Sequence, residues 1–567
     1  MWLIPQYKIR KIFGIGLGIL LITLIFTSFS GIKAGKDEYK PREIEVVDHT
    51  EYFKEVGVTH YEGSKSCLPC HMDEVVEVFH SYHYQLYSLI NDTPLGIELP
   101  YGSKYSYNDF CGNIFWEGEK PVNWIGYVRL KRAPEGYEDL VGSFTGLTGC
   151  SMCHGVGMGL PPSPELSEEQ LNNIDCLACH VDPKVYISGP FGIAKGMKNV
   201  SKDEEGRWRY IVNVDIDLLA KNIIKTPTKD NCLACHAVSG GGPHLKRPNL
   251  SPELMGDKVS EEFDIHIARG FTCVDCHVSE EHGFPTKSLD TFNREEDHIP
   301  TCTECHGEDP HTGILGWFIN TFHDRVACQT CHIPEIAGGK YPTDLHRDWS
   351  VATFNPKLKR WKFSIPNPDT GDTDKWYLDG NVTPVYLWYN GRRDLYIYPN
   401  QFTPITDKEY IERFGMTPVN GESLGIWFFS RPMGDVNDPN AKIYPFKLHT
   451  AIVAYSTINK TMVPMKVGIA FATGNTTLAY LKGANSVGMI WTPGEYITLV
   501  RFMQVNHGVK PADKSLTCLD CHGFTPKRLN WSELGYGYYP EVMFTFVTIG
   551  IPIIVILSII ILRKFFR

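Results

Sequence analysis

Hydrophobic residues gather in two long uncharged stretches at the ends of the chain and in short, broken runs between them. The first stretch runs from Ile12 to Ile32, the second from Val542 to Leu562. Only local patterns stand out in the interior. After Cys70-His71, the run Met72-Asp-Glu-Val-Val-Glu-Val-Phe79-His80 sets apolar residues at helical spacing. It predicts a short helix, with His80 and His83 one turn apart on one face. Arg393-Asp-Leu-Tyr-Ile-Tyr398 alternates and predicts a strand. The stretch from Trp376 to Gly391 is dense in Trp and Tyr, and Asp379-Gly380, Asn390-Gly391 and Asn420-Gly421 read as tight turns.

The terminal stretches point to a membrane. Lys8, Arg10 and Lys11 precede the first, and Ile32-Lys33-Ala34 follows as a cleavage site. That is the layout of a secretory signal, although signal cores usually span about 7–15 residues. Residues 1–34 are therefore either a cleaved signal peptide or an N-terminal membrane anchor. The second stretch, residues 542–562, is expected to be a C-terminal transmembrane helix. Its 21 residues would extend roughly 30 Å as a helix, one hydrocarbon core. Pro552 would kink it without forbidding it. Arg563, Lys564 and Arg567 follow, and a basic flank places that end in the cytoplasm. Everything between the stretches is then extracytoplasmic, periplasmic or pseudoperiplasmic.

Cysteine usage changes the picture most. Cys-x-x-Cys-His occurs eight times, where chance at this composition would give roughly 0.02 copies. The copies are Cys67/Cys70/His71, Cys150/Cys153/His154, Cys176/Cys179/His180, Cys232/Cys235/His236, Cys273/Cys276/His277, Cys302/Cys305/His306, Cys328/Cys331/His332 and Cys518/Cys521/His522. This spacing attaches haem c: two thioethers hold the vinyl groups and the adjacent His ligates iron. Eight covalently bound haems, with their iron, are expected. Of 17 cysteines only Cys111 is left over, so no disulfide scaffold is available. Zinc sites do not require a His after every second Cys. The net charge of −10 argues against nucleic acid as a partner.

Seven motifs fall within residues 35–332, too densely for much protein-only core. Residues 333–500 carry no motif and read as an aromatic-rich wrapping segment over the haems. Residues 501–535 carry the eighth. The expected fold is mainly α and irregular, with few strands and a closely packed haem array as its core. Thirteen histidines lie outside the motifs. His83, His244, His266, His282, His311, His323 and His507 are expected as distal iron ligands, with His298 in reserve. His49, His60, His346 and His449 are left to structural roles or to the neighbourhood of an active site.

The motifs and their flanks resemble the octahaem tetrathionate reductase family. The resemblance is carried by Asn173-Ile-Asp-Cys-Leu-Ala-Cys-His180, Asn231-Cys-Leu-Ala-Cys-His-Ala-Val-Ser-Gly-Gly-Gly242, Asp264 to His277, His323 to Glu335, and Asn506 to Gly523, and it spans about Cys67 to Tyr536. It implies seven bis-His haems and one distinct haem near the N-terminal end, with a lysine ligand and a lone cysteine beside it. Asn108-Asp-Phe-Cys111 stands where the family has Asn-Asn-Phe-Cys. Cys111 is thus implied at the reactive haem, that of Cys150, Cys153 and His154, as nucleophile or hydrogen-bonding group. Family members carry Tyr-Lys-Lys where this chain has Tyr186-Ile-Ser188, so the lysine role passes to Lys184, with Lys195 and Lys198 further on. The implied activity is reduction of a small sulfur or nitrogen oxyanion such as tetrathionate, nitrite or hydroxylamine. The implied partner is a quinol-type or cytochrome donor at the membrane, in a homo-oligomer or multi-cytochrome complex. Two other readings stand beside it: an electron conduit with every haem six-coordinate, and an oxidative enzyme, which would need a haem-linked tyrosine.

Overall fold

The computed structural model describes most residues between 43 and 536, with its main breaks at 122–127, 130–146, 290–297, 363–376, 416–422, 471–474 and 523–527, and scattered residues between 550 and 562. Residues 1–34 and the Asn420-Gly421 turn lie outside the described residues. So does most of 542–562, whose described side chains, Ile553, Ile556, Leu557, Ile559, Ile560 and Leu562, are exposed. Among the described residues no helix is long and apolar enough to cross a membrane. The C-terminal transmembrane helix expected above is therefore not among the observed elements.

The motif-bearing part is built from short helices and loops, as expected, but also holds small two-stranded pairs such as Tyr87–Ile90 with Leu99–Gly102 and Lys198–Lys202 with Trp208–Val212. Helix α1 is Met72–His80, and its Val75 and Phe79, one turn apart, are its buried residues. Helix α2, Lys229–His236, contains the fourth motif. Helix α3, Gly313–Phe322, and helix α4, Cys328–His332, surround the seventh. Local chemistry starts several of these turns. Thr272, Thr301 and Thr517 each precede a motif, and the acidic residue inside that motif (Asp275, Glu304 or Asp520) accepts from the Thr backbone N–H and hydroxyl at 2.7–2.9 Å. The threonine and the acid form a capping box, which begins a helical turn at the first Cys.

The expectation of few strands fails in the wrapping segment, which is an eight-stranded mixed sheet: β1 (Thr343–Asp348), β2 (Tyr377–Asp379), β3 (Val385–Tyr389), β4 (Arg393–Leu395), β5 (Ile426–Pro432), β6 (Lys442–Ser456), β7 (Thr461–Met462) and β8 (Tyr496–Gln504). The order is β2-β1-β6-β8-β5-β4, with β3 and β7 also pairing β6. β1 runs parallel to β6, β5 parallel to β8, and β6 antiparallel to β8. Strands covered on both faces lose their period-2 signal. All nine residues of β8 and most of β6 are buried, so alternation was visible only around β4. Asn390-Gly391 does turn the chain, Gly391 having φ 88°. It joins β3 to β4 without pairing them, since those strands bond to β6 and β5.

Behind the sheet lies the largest core, formed by Trp349, Tyr455, Trp491 and helix α5 (Thr476–Ser486). The sheet also anchors the motifs. Ala327 N–H and the Thr330 hydroxyl donate to Ile443 O at 3.0 and 2.8 Å, docking α4 on β6. His507 follows β8 directly, and its carbonyl accepts from Asn249 Nδ2 at 2.8 Å.

Candidate haem centres

Seven motif histidines each face a second histidine. The pairs are His71–His49, His180–His282, His236–His83, His277–His507, His306–His266, His332–His311 and His522–His323, with ring centroids 6.0–6.4 Å apart. That spacing has a simple meaning. Two metal–imidazole bonds of about 2.0 Å, plus about 1.1 Å from each nitrogen to its ring centre, span about 6.2 Å. The gap between the rings fits one iron. Groups of three or more His, Cys, Asp or Glu that could hold a bare metal are absent among the described residues, and a porphyrin supplies the other four ligands of a haem iron.

Backbone and side-chain acceptors orient the rings. The Nδ1–H of His49 donates to Val47 O (2.8 Å), of His180 to Ile224 O (3.1 Å), of His277 to Pro285 O (2.8 Å), of His282 to Glu77 Oε2 (2.7 Å) and of His311 to Asn320 Oδ1 (2.8 Å). An imidazole that donates through Nδ1 offers its Nε2 lone pair to a metal. Burial also keeps the ligands neutral: it pushes His83 down to about 4 and His236 and His507 down to about 3.

Two histidines are placed differently from the sequence reading. His49, reserved there for structure, faces His71. His244, expected as a ligand, faces Phe263 at 5.9 Å and Glu253 at 3.6 Å, and no motif histidine. His298 is exposed and bonds Glu304 Oε2 at 2.8 Å.

Neighbouring motifs touch through their cysteines, which orders the centres in space. Cys67 lies against Cys176, Cys153 against Cys235, Cys232 against Cys273 and Cys302 against Cys328. Cys179 neighbours Cys235, Cys276 neighbours Cys305, and Cys331 neighbours Cys518. The motifs thus run first, third, fourth, fifth, sixth, seventh and eighth, and the second branches off at the fourth.

The second motif has different surroundings. Ser103 Oγ lies 3.3 Å from His154 Nδ1. Burial, and then the Lys246 ammonium, push His154 down to about 4. Lys246 also acts on Cys111, together with Arg347. Lys246 and Arg347 thus both act on the Cys111 thiol, and Lys246 acts on the His154 ring as well. Cys111 sits in a turn closed by Asn108 and Asn113, whose backbones exchange bonds at 2.6 and 3.1 Å. Sheet residues clamp the turn: Trp349 Nε1 donates to Asp109 O at 2.8 Å, and an Arg347 guanidinium nitrogen donates to Phe110 O. A Cβ on Gly112, at φ 60°, would stand 2.8 Å from the Tyr480 hydroxyl.

Beneath the turn lies a buried ionic layer. Arg501 donates to Asp109 at 2.7 and 3.2 Å, and His449 Nδ1 lies 3.0 Å from the same carboxylate. Arg347 Nε bonds Asp344 Oδ2 at 2.5 Å. All five side chains are at most 4% exposed. Burial opposes ionisation of Asp109, yet Arg501 and His449 hold its carboxyl well below the usual carboxylate range. Burial raises the Cys111 thiol, against the pull of Arg347 and Lys246. Burial thus favours the protonated thiol of Cys111, while the two cations favour the thiolate.

The structure places Lys184 at the surface, 76% exposed and 3.6 Å from Asp257. Lys198 is buried, donating to Asp175 at 2.7 Å and to Ser188 Oγ at 3.2 Å. Lys246 and Arg347 were missed by the sequence reading. So was Arg501, although a charged residue inside the apolar run of β8 was a usable signal, whereas His449 lies beside Asp109, in the neighbourhood of the candidate site that the sequence reading left open for it.

Residues 259–333 match the family of cytochrome c7 and related cytochrome c, and residues 346–525 the family described as bacterial cytochrome c. An uncharacterized protein of Archaeoglobus fulgidus is 57% identical over 275 residues, 48% of this chain and 92% of that one. The crystal structure of octaheme cytochrome c from Shewanella oneidensis shares the fold, with a TM-score of 0.59 and 24% identity over 84% of this chain and 93% of that one.

Proposed function

We propose that this multihaem c-type cytochrome, which binds haem c covalently and transfers electrons, is an extracytoplasmic octahaem reductase with one reactive centre. The seven histidine pairs would each hold one haem iron from both sides and relay electrons. Cys150, Cys153 and His154 would hold the haem that takes electrons from the neighbouring fourth motif and supplies them to a small sulfur or nitrogen oxyanion. The observation that carries this reading is the Arg347 guanidinium bonded to the carbonyl of Phe110, next to Cys111, with Lys246 acting on both the Cys111 thiol and His154. Two cations in a buried site attract an anion, and a protonated thiol can hydrogen-bond it. Lys246 takes the place that sequence reasoning gave to Lys184, as iron ligand or substrate anchor. Membrane attachment through residues 542–562 belongs to the same proposal, supported by a run of 21 uncharged residues with a basic flank.

Low-temperature EPR of the oxidised holoprotein tests the reading. One iron signal that differs from the bis-His set, moves on adding nitrite or tetrathionate and is altered in Lys246→Met supports it. Uniform low-spin signals indifferent to both anions would make the chain an electron conduit instead.

A further inference from the structure

We propose that helix α3 lies on the lipid bilayer, so that the eighth-motif haem is the port through which electrons enter from a membrane-dissolved donor. The proposal rests on the membrane attachment proposed above and adds to it a second contact and a direction. Helix α3 carries no charged residue. One face turns inward. Gly316 packs on His311, where an added Cβ would come within 2.5 Å of its backbone, and Asn320 bonds the His311 ring. On the rest of the helix Trp317, Phe318 and Phe322 are 57, 46 and 62% exposed and touch one another at 5.0–5.8 Å. An uncharged helix showing contiguous aromatics suits the headgroup boundary, where Trp and Phe partition favourably.

Chain continuity identifies the occupant. Phe322 is followed by His323, which faces His522 of the eighth motif. His522 stacks on Trp531 at 5.2 Å, and Trp531 meets Tyr536 at 5.6 Å. The uncharged run begins at Val542, six residues beyond Tyr536, so at most about 20 Å of chain separates that pocket from it. A bilayer holding residues 542–562 is therefore within reach of the exposed aromatics. The eighth motif is also one end of the line of centres, touching the array through Cys331. A lipid-soluble hydroquinone docking there would be oxidised to the quinone, releasing its two protons to the water at the membrane surface. Its two electrons would be taken up one at a time by the haem that Cys518, Cys521 and His522 would hold, and would pass on towards Cys331 of the seventh motif.

The test uses the full-length holoprotein on phosphatidylcholine–phosphatidylglycerol vesicles containing a photoreactive diazirine lipid and a menaquinol analogue. Lipid adducts should appear within residues 313–322 as well as 542–562. F318E/F322E should slow reduction by the vesicle-borne quinol at least tenfold, while dithionite reduction and haem content stay at wild-type values. W317Q, a milder change, should give at least a threefold slowing. Adducts confined to 542–562 with unchanged quinol rates would overturn the docking of α3 and leave the anchor standing. Failure of the wild-type protein to float with vesicles would overturn the attachment itself.

Discussion

Phe110 lies flat on His449, with ring centroids 4.2 Å apart and 19° from parallel. The contact joins the turn that carries Cys111 to the middle of β6. His449 pairs across the ladder with Arg501 of β8, and both side chains reach back to Asp109, the residue before Phe110. Three separate parts of the chain thus hold one thiol in place through one carboxylate.

Replacing Arg501 with Gln leaves Asp109 buried with reduced compensation. Breaking a buried pair from one side costs about 3–5 kcal/mol, and chemical unfolding of R501Q should show a loss of that size. The double variant D109N/R501Q should recover most of it. An equal loss in the single and double variants would show that the pair is not what stabilises the turn.

Acid should loosen the same layer. Burial opposes ionisation of Asp344, but Arg347 and His449 bring it down to about 2, from 3.8 in the unfolded chain. A depressed carboxylate contributes stability that is present above the unfolded value and lost as pH falls through the folded one. For Asp344 that window is pH 4 to 2, and the amount is on the order of 2 kcal/mol. Denaturant midpoints at pH 5 and pH 2.5 should differ more in the wild type than in D344N. Parallel changes in the two proteins would exclude this source.

His49 and His244 make opposite predictions. His49→Ala should open the sixth position of the first-motif haem and add a high-spin signal to the oxidised EPR spectrum, with haem content unchanged. His244→Ala should leave the signals of the paired centres as they are. The reverse outcome would restore the assignment made from sequence.

Glu77 bonds the Nδ1–H of His282, which makes that imidazole a stronger donor to a ferric centre. Glu77→Gln should raise the midpoint potential of the third-motif haem by on the order of tens of mV. A potentiometric titration in which no centre moves upward would remove Glu77 from that role.

The sequence made the motifs fully legible, because covalent haem attachment needs a fixed spacing within five residues. Distal partners were harder to read, since they are set by folding. His266 lies seven residues before Cys273 yet faces His306, and His83 faces His236 across more than 150 residues of chain. His49 lies eighteen residues before Cys67, and it is brought to the first motif by the pairing of Val46–Val47 with Ile223–Ile224 and by a hydrogen bond from its backbone N–H to Ala220 O at 2.8 Å. The sheet escaped notice because burial on both faces erased the alternation of β6 and β8. Lys184 was favoured by sequence distance from the third motif, whereas Lys246 reaches the second motif from the loop after α2.

The branch at Cys235 carries a consequence for timing. Among the described cysteines, the second motif meets the line of paired centres at Cys235 of the fourth. In the proposed reading each pair stores one electron, so the array works as a charged reservoir behind one outlet. Reduction of tetrathionate to two thiosulfates takes two electrons, and reduction of nitrite to ammonium takes six. A substrate bound beside Cys111 can then draw several in succession at the speed of internal transfer, while a slow external donor refills the store between turnovers.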